Sequence, residues 1–164
     1  MTAPRLFEFT VPGFASQRQW CVYIVVATSS KTNIKSAYVG KVGDNRDGCS
    51  PIITRIGNHL SHNKIVSTLR NKLVATTDFD YKIHFATFGE YVESNKQDKD
   101  KINQLERHLN ILVKERALND KSIKLENEYK GTGYLSITEK EYRKTLVSEK
   151  DMHLLAELVA KAFS

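Results

Sequence analysis

The chain has 164 residues, 40% of them hydrophobic and 27% charged, with a formal net charge of +6 and a pI of about 9.3. That length allows one domain with a real core, and the longest apolar runs are too short to span a bilayer. The basic balance suits a polyanionic partner such as nucleic acid. No secretory signal is expected, because the start lacks a basic stretch followed by an apolar block. Two cysteines, Cys21 and Cys49, are too few for a disulfide framework or a metal cluster, so a reducing cytoplasm is the expected location.

Residues 1–19 are expected to form an N-terminal arm, punctuated by Pro4, Pro12 and Gly13, in which Phe7 and Phe9 flanking Glu8 suit a short added strand. Cys21-Val22-Tyr23-Ile24-Val25-Val26 is a β-branched, strand-like run. A polar loop over 28–36 leads to a second short strand, Ala37-Tyr38-Val39-Gly40, with Lys41 just beyond it, and the pair suits a hairpin. The Gly- and Asp-rich loop over 41–50 contains the turn pair Asp47-Gly48. Ser50 is expected as an N-cap, with Pro51 as the first helical residue. In the helix that follows, Ile52, Ile53, Ile56 and Leu60 form the buried stripe. Arg55 and His59, four apart, lie one turn above each other on the neighbouring face, where both reach one phosphate.

The spacing of Ile65, Val66, Leu69 and Leu73 predicts a further helix over 64–74, with Arg70 and Lys72 on its solvent side as a solvated face or as phosphate contacts. Residues 79–88 alternate as a third strand, with Phe79, Tyr81, Ile83 and Phe85 on one side. A charged linker is expected over 89–101. A helix follows over 102–118, with Ile102, Leu105, Leu109, Leu112 and Val113 as its buried stripe. Glu106 sits beside that stripe, where a carboxylate snorkels out, pairs with a cation or points into a site. Lys130-Gly131-Thr132-Gly133-Tyr134 is a turn, and it lacks the pattern of a phosphate-cradling loop. Thr138-Glu139-Lys140-Glu141 suits a capped helix start. The last helix, over 148–163, is amphipathic and packs on the core or on a second copy.

The expected fold is α+β: a small central antiparallel sheet of about three strands flanked by helices, with an additional C-terminal helix. Three segments follow: the arm (1–19), a core (20–120), and a C-terminal extension (121–164) packed on the core or at an oligomer interface.

Tyrosines in strands are ordinarily packing residues, and a lone glutamate is ordinarily solvated. The ordered set changes that reading. Cys21-Val22-Tyr23 stands where the first signature tripeptide of the GIY-YIG nuclease superfamily falls, and Tyr38-Val39-Gly40 matches the second. Arg55 and His59 match that family's helix, and Glu106 its later glutamate. Over roughly residues 20–120 the chain resembles this superfamily. It departs in having Cys21 for the first glycine, a longer loop before Tyr38, and Asn119 as the nearest candidate for the downstream asparagine.

The resemblance implies a metal-dependent endonuclease acting on DNA, with RNA as the other candidate. Glu106 is then the ligand of Mg²⁺ or Mn²⁺, and Tyr23 takes the proton of the attacking water. Tyr38 binds the water or the phosphate, and His59 accepts the tyrosine's proton. Lys41 and Arg55 bind the phosphate, with Arg70 and Lys72 as further candidate nucleic-acid contacts. Double-strand cleavage by one small domain implies a homodimer. The alternative is a non-catalytic nucleic-acid-binding module of the same fold.

Overall fold

A computed structural model describes residues 6–43, 50–63, 65, 67–73, 75–129 and 135–164. The first five residues, the Asp47-Gly48 turn with Cys49, positions 64, 66 and 74 of the expected second helix, and the turn over 130–134 lie outside the described residues.

β1 (Gln19–Ser29) and β2 (Lys35–Val42) form the expected hairpin, with Tyr23 opposite Gly40 and Val25 opposite Tyr38. β3 (Phe79–Glu90) pairs antiparallel with the other side of β1. The short β4 (Ile123–Leu125) adds a fourth strand, parallel to β2 at Lys35 to Ala37, and the strand order is β3-β1-β2-β4. β1 is the central strand, buried from Trp20 to Ala27. Its near-continuous apolar sequence is what a strand covered on both faces requires.

One face carries Val22, Ile24, Val26, Ala37 and Val39. It is covered by α3 (Lys96–Asn119) and α5 (Glu149–Ala162). The other carries Cys21, Tyr23, Val25, Tyr38 and Val42 beneath α1 (Ile52–Leu60) and α2 (Thr68–Lys72). The apolar stripe of α5 (Leu155, Leu158, Val159) faces the core, so the 121–164 segment completes the main hydrophobic cluster. No described helix is long and apolar enough to cross a membrane.

Several sequence expectations are corrected. Residues 6–12 form no strand, and Phe7 and Phe9 are exposed. Pro51, not Ser50, is the N-cap of α1, and no side chain caps it. Ile53 faces outward while His59 is fully buried, so the inner face of α1 is rotated towards the site. Among the described residues of 64–74 the helix is α2, and the Asn63 side chain accepts the Ile65 N–H at 3.1 Å, a local bond that competes with a helix start.

α3 begins at Lys96, capped by Asn95, within the expected linker. Its charges are paired across the fold rather than solvated. Asp100 meets Arg143 of α4 (Ile137–Thr145) at 2.5 Å, and Lys101 meets Asp151 of α5 at 2.9 Å. The α4 cap is Ser136, in a capping box with Glu139, two residues before the expected Thr138.

Candidate active site

β4 pairs only with the first three residues of β2. Beyond them Asn127 takes over the edge: its side-chain amide donates to the Val39 carbonyl at 2.6 Å and accepts the Val39 N–H at 3.0 Å. Asn110 of α3 donates to the Asn127 carbonyl at 2.8 Å and so holds this clamp in place. No described strand pairs with the outer edge of β2 past Val39. Side chains from both faces of the sheet meet around that end of the strand.

On the α1 face, Tyr23 and Tyr38 project from adjacent strands towards His59. The Tyr23 hydroxyl lies 2.5 Å from His59 Nε2. The Tyr38 ring packs on the imidazole, with 4.7 Å between centroids. Gly40 makes this possible, since a Cβ there would overlap the Cζ and Oη of Tyr23. The charge of Arg55, one turn before His59, acts on both tyrosine hydroxyls and favours their ionised forms. His59 Nδ1 is buried with no partner among the described residues.

The electrostatics follow from this enclosure. Burial pushes the Tyr23 and Tyr38 hydroxyls above the usual tyrosine range, against the opposing pull of Arg55. Burial, with Arg55 adding to it, lowers His59 to about 4, so the ring is uncharged at neutral pH.

Strand alternation places Lys41 on the opposite face from the tyrosines. There Lys41 Nζ binds Glu106 Oε2 of α3 at 2.6 Å, with both side chains partly exposed. The two halves still sense each other, because the Glu106 charge acts on both Tyr23 and Tyr38. Among the described residues no group of three or more His, Cys, Asp or Glu side chains comes together at Glu106 or elsewhere. Glu106 opens onto a groove of about 490 Å³ running along α3 to Tyr129.

No protein-family model, curated protein or solved structure matches this chain.

Of the sequence-selected residues, Tyr23, Tyr38, Lys41, Arg55, His59 and Glu106 surround one strand end. Arg70 does not join them. Its Nη1 donates to the Leu60 carbonyl at 2.9 Å and closes the end of α1. Lys72 lines a separate hollow with Asp78 and Lys124, near the tip of the β1–β2 hairpin. Asn119 is exposed and bonded within its own helix to the Glu115 carbonyl, away from the site. The asparagines that shape the site are Asn110 and Asn127. The sequence carries no periodic signal for either, since one clamps a backbone edge from a loop and the other is a polar break in a helix stripe.

Proposed function

We propose that this chain is a metal-dependent endonuclease of the GIY-YIG kind, hydrolysing phosphodiester bonds in DNA. The observation that carries this reading is the convergence of Tyr23, Tyr38, Arg55, His59, Lys41 and Glu106 around the end of β2, through the Tyr23–His59 hydrogen bond, the Arg55 charge that acts on both tyrosines and the Lys41–Glu106 pair.

In the resting site a cation acts on each reactive oxygen: the Arg55 charge on the Tyr23 hydroxyl, and Lys41, in direct contact, on the Glu106 carboxylate. A phosphate draws both cations to itself, Arg55 as a planar fork and Lys41 as a point charge. Their departure uncovers the tyrosine oxygen and the carboxylate. Tyr23 then takes the proton of the attacking water while its own proton passes to His59 Nε2. The two transfers are concerted, because burial penalises a lone phenolate. The negative charge of the phosphate raises the basicity of His59, which makes it an acceptor during turnover.

Glu106 fits a hydrated Mg²⁺ or Mn²⁺. Such ions take one or two carboxylates and keep several waters, and this carboxylate is partly exposed at the mouth of a roomy groove. When bound, the ion supplies Lewis-acid polarisation of the phosphate.

The second reading, a nucleic-acid-binding module without catalysis, is favoured by one observation: the Tyr23 side chain is completely enclosed. Plasmid incubation with Mg²⁺, with EDTA and with Glu106→Ala separates the two. Metal-dependent nicking or linearisation, lost in Glu106→Ala and in Tyr23→Phe, is the expected result. Intact plasmid that is still retarded in a gel shift supports the binding module.

A further inference from the structure

The groove beside Glu106 is a second built feature of this site. Asn103, Glu106, Arg107 and Asn110 project from one face of α3 at helical spacing. The segment around Asn127 and Tyr129 forms the opposite wall. That wall is fixed: Asn110 accepts the Tyr129 N–H at 2.7 Å and donates to the Asn127 carbonyl, and Asn127 is bonded at both ends of its amide to Val39. The Glu128 charge is matched by Lys114.

Two groups remain to meet a ligand. The Arg107 guanidinium lies over the Tyr129 ring, with its carbon 5.4 Å from the ring centroid. Among the described residues it makes no hydrogen bond or ion pair. A guanidinium is a rigid planar fork of N–H donors, which suits it to a two-point acceptor. The groove's volume of about 490 Å³ lies within the range of small-molecule sites.

We propose that this groove binds the base of the nucleotide next to the scissile phosphate, and that Arg107, braced on Tyr129, reads guanine there through its O6 and N7 acceptors. Among the major-groove edges of the four bases, that of guanine offers two acceptors side by side to such a fork. The ring of Tyr129 adds a stacking surface that a phosphate has no use for. The proposal rests on the reading of the Glu106 site as a phosphodiester-cleaving centre, since that is what places a nucleotide at the groove's mouth. It adds a base preference that the cleaving residues themselves do not carry.

The test is binding of the four deoxynucleoside 5′-monophosphates to the full, metal-free chain, followed by NMR of the backbone amides. Deoxyguanosine monophosphate is expected to shift Asn103, Arg107 and Tyr129. It should also bind about 5-fold or more tightly than the pyrimidine nucleotides, the lower bound for a good two-point base contact. Arg107→Ala should erase this preference, and so should Arg107→Lys, which keeps the charge and loses the fork. Unshifted amides elsewhere in the variants certify the fold. Four nucleotides bound alike, or a preference that survives in Arg107→Ala, overturns the proposal. The nuclease reading fails separately. A chain that binds guanine here but leaves plasmid intact with Mg²⁺ loses the nuclease and keeps the pocket. A chain that cuts DNA with no guanine bias at its product ends loses the pocket and keeps the nuclease.

Discussion

On the α3 and α5 side of the sheet, the cover buries Leu105, Leu109 and Leu155 completely against Val22, Ile24 and Val39. On the α1 and α2 side, two short helices cover the same strands, and the most deeply buried residue α1 contributes is His59, set against Tyr23 and Tyr38. The first face is a hydrophobic core in the ordinary sense. The second gives up aliphatic packing for polar groups whose hydrogen bonds are incompletely satisfied, with Arg55 Nε and His59 Nδ1 both buried and unpartnered. Buried polar atoms without partners are costly, so the contrast places most of the fold's stability on one face and its candidate chemistry on the other.

The contrast can be broken from the stable side first. Leu155 is fully buried in α5, remote from the site, and Leu155→Ala should cost about 2–5 kcal/mol in urea unfolding. A loss below about 1 kcal/mol would mean that α5 is an appendage and that the core lies elsewhere.

On the other face, acid should act through His59. The folded ring stays uncharged down to about pH 4, whereas in the unfolded chain it protonates near its ordinary value of 6.5. Between those values the folded state binds fewer protons, so the contribution is present above pH 6.5 and is lost as pH falls towards 4. The expected loss is about 3 kcal/mol, from roughly 1.4 kcal/mol per pKa unit. It is read as the difference in pH dependence between wild type and His59→Gln, and parallel curves for the two would refute it.

Gly40→Ala should cost about 1–3 kcal/mol by overpacking Tyr23. It should also abolish cleavage, whereas a variant that cuts normally would show that the Tyr23–His59 contact is dispensable. Glu106→Gln is the smallest in stability. The Lys41–Glu106 pair is partly exposed, so its removal should change stability by about 0–1 kcal/mol while eliminating metal-dependent cleavage. A large destabilisation would recast the pair as a structural bridge.

The stable face was largely legible in the sequence. The β-branched run of β1 and the stripe of Ile102, Leu105, Leu109 and Val113 each fix an element and its inward side. What escaped has physical reasons. The start of α3 looked like a solvated linker because Asp100 and Lys101 find their partners, Arg143 and Asp151, more than forty residues later. The inner side of α1 was misplaced at Ile53 because hydrophobicity alone ranks isoleucine above histidine, whereas the tyrosines on the sheet make His59 the better fit. The six candidate site residues were found by their order along the chain. Their division between two faces is set by strand parity at Lys41, and the clamp at Asn127 depends on where an edge strand stops, so neither was visible before the sheet was assembled.

The placement of α5 also bears on how the protein is made. Leu155, Leu158, Val159 and Phe163 fill the same cluster as Trp20 and Val22, from the opposite end of the chain. During synthesis β1 and β2 leave the ribosome long before the residues that cover them, so the hairpin waits with its apolar face open. Folding of this kind is dominated by distant partners and is slow to start. A nascent chain released after residue 120 would carry every candidate reactive side chain and lack the helix that packs over the sheet, so the candidate site has no finished core beneath it until α5 has been made.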